Sequence, residues 1–334
     1  MEQSRIQTYC YSIASTLITL TLLFFFCARC SHIALCIIVT YMCTKTKNSY
    51  GNYNVFFEVR PWQTTDKTEY HYAFGQSGRV AAFQESYWPL LDNLDNDPNW
   101  DWSRFDVNND GLLDNLIVLH SGYAAEEGGQ DCTNGREYLD RIWSHAFSDS
   151  NGWRSADGAY GVEGYMIASA LDTTCDANPA KMGVMTHEFL HTFYLIDLYD
   201  YSFEGKGVGQ FDLMAYPYGF NNDGYIPVSL SAWGKTAIDW LTCEIVTSSG
   251  TYTLEPSVLA PSCYRVNLRT SEEGLDEYLL FENRQQMGFD VNFWGSGVVI
   301  YHIDDAADEQ YERGYPGQGN WPYNGVRTTI VKLL

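Results

Sequence analysis

His187 and His191 stand four residues apart, with Glu188 directly after the first, in the stretch His187-Glu188-Phe189-Leu190-His191. On a helix, residues four apart project from one face about one turn from each other, so both imidazoles can reach a single ion. Glu188 then lies beside that ion without having to bind it, where a general base for a zinc-activated water belongs. A catalytic zinc needs a third protein ligand and an open position. Asp197, Asp200 and Glu204 are the downstream candidates. At about 100° per residue, a straight helix would carry Asp197 about 80° off the His187 direction and up the axis. The chain must therefore turn soon after His191 for Asp197 to reach the metal. Glycine usually allows such a turn by taking a left-handed conformation. Here the position is Tyr194, at a cost of roughly 1–2 kcal/mol.

A second constellation is Asp106-Val107-Asn108-Asn109-Asp110-Gly111-Leu112-Leu113-Asp114. Oxygen donors at positions 1, 3, 5 and 9 (Asp106, Asn108, Asp110, Asp114), with Gly111 at 6, resemble the first part of an EF-hand calcium loop. The Leu112 carbonyl would supply position 7. Position 12 is Ile117 rather than Glu, so the loop departs from the full pattern, and a plain Asx-rich turn is the other reading. A calcium here would be structural.

The elements that must position these groups follow from periodicity. Strand formers run from Tyr53 to Val59 and stop before Pro61. Apolar residues at helical spacing run from Gly78 to Leu94. Leu116–His120 reads as a buried strand, followed by a Gly-rich loop from Gly122 to Gly135, and Tyr165–Ala170 as another strand. Ala180–Leu195 and Leu230–Leu241 read as helices. From Thr251 onward the chain is β-like, at 251–254, 264–268, 278–282 and 297–303. Mixed α/β first and strands last predicts an α/β (α+β) catalytic domain with a mixed sheet and an active-site helix, followed by a β-rich C-terminal segment. The expected boundaries are 1–47, 48–243 and 244–334.

The segment from His187 to Asp200 (HEFLHTFYLIDLYD) resembles the metal helix of the immune inhibitor A family of bacterial metallopeptidases, zincins related to the metzincins. Gly207–Ala215 (GVGQFDLMA) is similar to that family's methionine-turn segment. Leu230–Leu241, Tyr278–Gln285 (YLLFENRQ) and Gly297–Asp304 (GVVIYHID) are similar to its later elements, and Arg141–His145 (RIWSH) also matches. The resemblance covers roughly residues 48–325. It implies a zincin-like fold, His187, His191 and Asp197 as zinc ligands, Glu188 as catalytic base and Met214 packed beneath the metal. It further implies endopeptidase activity on protein or peptide substrates. Tyr216, two residues after Met214, resembles the tyrosine of astacin-like metzincins, whose hydroxyl approaches the metal. An ordinary wall tyrosine is the other reading. The family's Gly is Tyr194 here, and the chain ends at Leu334, where no further C-terminal domain is expected. His120, His145 and His302 read as core or cleft-lining residues.

The net charge of −22 excludes nucleic acid as a natural partner, since phosphates need Lys and Arg. Five of nine cysteines lie in the first 43 residues, and four lie in the body: Cys132, Cys175, Cys243 and Cys263. The even set fits two disulfides in an oxidising compartment. Chain order suggests Cys132 with Cys175 and Cys243 with Cys263, out of three possible pairings. The apolar run from Tyr11 to Phe26 has the length of a signal-peptide core, with cleavage expected after Cys30. The rival is a signal anchor that keeps the protein on a membrane and uses part of a second apolar run, Ile33–Cys43. The expected protein is a secreted zinc endopeptidase. Its rivals are a catalytically impaired pseudopeptidase and a calcium-stabilised binding module.

Overall fold

The structure is a computed structural model, and it describes residues 32–43, 50, 54–175, 178–199, 207–220, 224–270, 276–305 and 327–331. The described residues form two compact units. The first comprises residues 32–43 and 55–192, and the second is built mainly from residue 193 onward. The second unit takes in residues 193–243.

The first unit is built on six strands: β1 (His32–Cys43), β2 (Asn54–Val59), β3 (Gln63–Thr68), β4 (Asn115–Tyr123), β5 (His145–Arg154) and β6 (Gly161–Leu171). Their order is β2-β1-β4-β6-β5, and β3 also pairs with β1. β1 runs antiparallel to β4, with Ile38 opposite Ile117, whereas β4 and β6 are parallel, with Ile117 opposite Met166. The sheet is mixed, as expected.

The apolar run 33–43, set aside in the sequence with the N-terminal segment, lies in strand β1. An interior sheet strand reads as a near-continuous apolar run, which composition does not separate from a leader. The leader read in residues 11–26 lies outside the described residues. Among the described residues, no helix is long and apolar enough to cross a membrane.

Alternation along β4 divides its side chains between two cores. Leu116 and Val118 join Phe83, Leu91, Phe105, Ile142 and Tyr165 on one face. Ile117 and Leu119 join Met166, Ala168 and Ala170 on the other. The single helix expected over 78–94 is a 3₁₀ turn (Ala81–Ser86) followed by helix α2 (Trp88–Asp95); a short helix α1 (Glu69–Ala73) precedes them. Pro89 explains the break, since it has no N–H to continue a helix but is favoured in a first turn. Helix α3 (Met182–His191) closes the unit.

The second unit holds helix α4 (Ala232–Ala237) and five strands: β7 (Glu244–Ile245), β8 (Tyr264–Thr270), β9 (Asp276–Arg284), β10 (Gly297–Asp304) and β11 (Arg327–Val331), in the order β11-β10-β9-β8-β7. The helix expected over 230–241 is shorter. The Ser231 side chain caps its start by accepting the Gly234 N–H, and the chain turns at Asp239, whose φ is 58°. The strand expected over 251–254 does not form. The Cys243–Cys263 disulfide brings β7 beside β8, so the edge is taken by residues 244–245 instead. The other disulfide joins Cys132 to Cys175, so both pairings follow chain order.

Candidate metal centre

Met185 and Phe189, four apart on α3, pack against the sheet core of Ile117, Leu119, Met166, Ala168 and Ala170. At about 100° per residue, that contact turns His187 and His191 to the far side of the helix. Their rings lie 4.8 Å apart between centroids and nearly perpendicular, at 87°. His187 and Glu188 are buried, and His191 is half-buried.

The helix ends at His191, and the Thr192 hydroxyl donates to the Phe189 carbonyl at 2.6 Å. Tyr194 then takes the left-handed conformation, with φ 62°, and is 91% exposed. This is the turn that the sequence demanded, made without glycine. Three residues later the buried Asp197 carboxylate joins the two imidazoles. The ligand atoms of His187, His191 and Asp197 all lie within 4.8 Å of one another. Ligand atoms on one tetrahedral zinc at about 2.0–2.2 Å stand about 3.3–3.6 Å apart, so the three groups converge on one point and a closure of at most about 1.5 Å brings them onto one ion. Two imidazoles and one carboxylate also suit zinc chemically and leave a position open.

The other expected residues have different fates. Asp200 and Glu204 lie outside the described residues. Met214 is fully buried, and Tyr216 is half-buried, with its ring 5.5 Å from that of Tyr218. The carboxylates of Asp106, Asp110 and Asp114 do not form a second convergent group; among the described residues the 187–191–197 set is the one of that kind. Asp106 instead accepts the Asp110 and Gly111 N–H groups at 3.0 and 2.9 Å, and Asp110 accepts the Leu112 N–H at 2.8 Å. Asn108 donates to Asp110 at 2.7 Å.

His120 is buried in the core, and His145 is half-buried with its ring against Phe83 and Tyr165. Burial holds the His120 imidazole at about 3 and that of His145 at about 4, so both are neutral. His302 pairs with Glu277 at 2.7 Å.

The second unit also holds a buried polar cluster that the sequence reading did not single out. Arg284, fully buried on β9, donates two hydrogen bonds to Asp290, both 2.7 Å, and one to the Phe211 carbonyl at 3.0 Å. Glu282 accepts from Lys235 at 3.0 Å and from the Tyr301 hydroxyl at 3.0 Å. Burial alone would raise the Glu282 carboxyl, but Lys235 and Arg284 outweigh it and hold it at about 2. The sequence trace of this cluster is Glu282 and Arg284 at i, i+2, two charges in register with Tyr278 and Leu280 on the buried face of β9.

The chain is similar to known proteins over much of its length. The profile of the family described as "Immune inhibitor A peptidase M6, catalytic domain" matches residues 37–239, more than half of the chain. The chain belongs to this peptidase family. The match starts inside β1 and runs past Met214, so it takes in part of that strand, helix α3 and the segment from 207 to 215. The chain is also 27% identical over 186 residues to "Immune inhibitor A" of Bacillus thuringiensis subsp. alesti. That alignment covers 48% of this chain and 26% of the relative, so the match spans about a quarter of the relative's length. M6 membership makes this a metallopeptidase domain.

Proposed function

We propose that this chain is a secreted zinc-dependent endopeptidase that cleaves peptide bonds in proteins. The observation that carries the reading is the convergence of His187, His191 and Asp197, placed there by α3 and by the left-handed turn at Tyr194. These three residues would hold the ion. A bound zinc supplies Lewis acidity to the scissile carbonyl and acidifies water. Glu188 takes the proton of the attacking water and delivers it to the leaving amine. Its place in the sequence, directly after a ligand and on the same helix, suits that role. Met214, fully buried in the segment that resembles the family's methionine turn, acts as a soft apolar packing residue. The Tyr216 hydroxyl stabilises the oxyanion of the tetrahedral intermediate, a role supported by its place two residues after Met214.

Secretion is part of the reading, supported by two disulfides and an acidic surface. A structural calcium in the 106–114 loop is also part of it, supported by the donor spacing and by φ 82° at Gly111, the sixth position. One observation favours a second reading, a folded but impaired peptidase: the site is reached through a strained tyrosine.

The test is casein cleavage by the purified chain, with zinc content measured alongside and Glu188→Ala as the blank. Stoichiometric zinc in both proteins and cleavage only by the wild type are expected. A wild type no better than the blank would sink the enzyme reading and leave the impaired peptidase. A Tyr216→Phe variant with unchanged turnover would remove Tyr216 from the mechanism.

A further inference from the structure

We infer that Asp212 and the buried Arg284 are positioning residues for the third metal ligand, Asp197, acting through the backbone of Met214 and Leu198. The inference rests on the zinc reading above.

The path runs through hydrogen bonds inside the second unit. Asp212 is fully buried, and its two carboxylate oxygens hold two different segments: one accepts the Met214 N–H at 2.7 Å and the other the Ser231 N–H at 2.8 Å. The Met214 carbonyl accepts the Leu198 N–H at 2.9 Å, and the Leu198 carbonyl accepts the Val208 N–H, also at 2.9 Å. Leu198 is thus pinned on both sides of its peptide, and it is the residue directly after Asp197. Close approach is a condition of this arrangement. Gly207 has φ 57°, and a Cβ there would come within 2.0 Å of the Leu198 carbonyl oxygen. Any other residue at 207 would push the ligand segment away.

Arg284 secures the other end of the turn. It donates to the Phe211 carbonyl at 3.0 Å, immediately before Asp212, while Asp290 accepts two further bonds from its guanidinium. A bidentate pair fixes the plane of an arginine as well as its charge. Asp290 also accepts the Ser229 N–H at 3.0 Å, so the segment leading to Ser231 is tied to the same group. The turn from 211 to 216 is therefore held by charges on β9 and the connection after it, with Leu198 bonded to that turn. The metal ligand inherits its position from residues that do not touch the metal. Groups bonded directly to a ligand are worth roughly 10–100-fold in metal affinity, which bounds the effect of this more distant pair from above.

The experiment compares zinc affinity, by chelator competition, and the visible spectrum of the cobalt-substituted protein for the wild type, Asp197→Ala, Asp212→Asn and Arg284→Lys. In Asp212→Asn a carboxamide with one carbonyl oxygen replaces a carboxylate with two, so either the Met214 or the Ser231 N–H loses its acceptor. We expect Asp212→Asn to bind zinc more weakly, by up to about 10–100-fold, with an altered cobalt spectrum, and Arg284→Lys to follow in the same direction. Unchanged affinity in Asp197→Ala would bring down the zinc reading itself. Weakened binding in Asp197→Ala, with wild-type affinity and spectrum in both Asp212→Asn and Arg284→Lys, would overturn the positioning inference alone. If neither variant folds, amide exchange in the metal-free wild type decides. Leu198 should exchange as slowly as Ser231, and fast exchange at Leu198 beside a protected Ser231 would reject the inference.

Discussion

The 187–197 segment and the 106–114 loop both carry oxygen or nitrogen donors at metal-binding intervals, but they sit on different backbones. In the first, two donors are on a helix, where the i, i+4 interval fixes their direction regardless of any ion. In the second, all donors are on a loop whose short carboxylates find backbone N–H groups two to five residues away. Asp and Asn compete for such local bonds wherever the backbone is irregular. Donor convergence is therefore built into the helix site before any metal arrives, whereas the loop is closed by its own side chains. The comparison assigns chemistry to the first region and stability to the second.

The largest expected effect tests that division directly. Glu188→Gln keeps the size of the side chain and removes the base, so peptide cleavage should fall by about 10²–10⁴-fold. Zinc content and melting temperature should stay close to wild type. An Asp110→Ala variant of the loop should do the reverse, melting earlier while cleaving at a near-normal rate at low temperature. Loss of cleavage in a fully folded loop variant would break the comparison.

Next in size is the loop itself. Asp106 is buried and satisfies two N–H groups, so Asp106→Ala leaves both without that acceptor, at a cost of about 1–3 kcal/mol. Denaturant unfolding in the presence of a chelator reads this cost without any ion. A smaller effect should come from calcium. Extracellular calcium modules have affinities of about 10⁻⁴–10⁻³ M. Several millimolar calcium should therefore stabilise the wild type by about 1–2 kcal/mol, and Asp110→Ala by much less. Equal shifts in the two proteins would leave the loop as a self-closed Asx turn.

How legible each region is in the sequence follows from how local its determinants are. His187, Glu188 and His191 declare themselves because helical geometry acts over four residues. Both disulfides follow chain order. Asp197 is less legible, since its convergence depends on a backbone turn at Tyr194 that residue type argues against. The helix at 78–94 splits because Pro89 acts on its own backbone, a local cue hidden beneath a regular apolar pattern. β1 is hidden for a different reason, because an interior strand and a leader have the same composition. The Arg284 cluster is the least legible: its contact with Phe211 spans 73 residues, and no periodicity reports such a distance.

The smallest effect concerns Tyr194, the one strained residue within the helix site. The left-handed conformation costs a bulky residue roughly 1–2 kcal/mol. Glycine would remove that cost but add about 0.5–1 kcal/mol of lost unfolded-chain freedom. The residue is 91% exposed, so little packing is lost with its ring. Tyr194→Gly should therefore gain no more than about 1 kcal/mol, visible as a small rise in melting temperature, with zinc affinity within a few-fold of wild type. Asp197 already reaches the histidines with tyrosine in place, so the turn is made and only its cost remains. A Tyr194→Gly protein that binds zinc or cleaves casein ten-fold better would show instead that the tyrosine holds the ligand away from the metal. The convergence seen in the 187–197 segment would then describe a site that the native chain reaches only part of the time, and the impaired-peptidase reading would replace the active one.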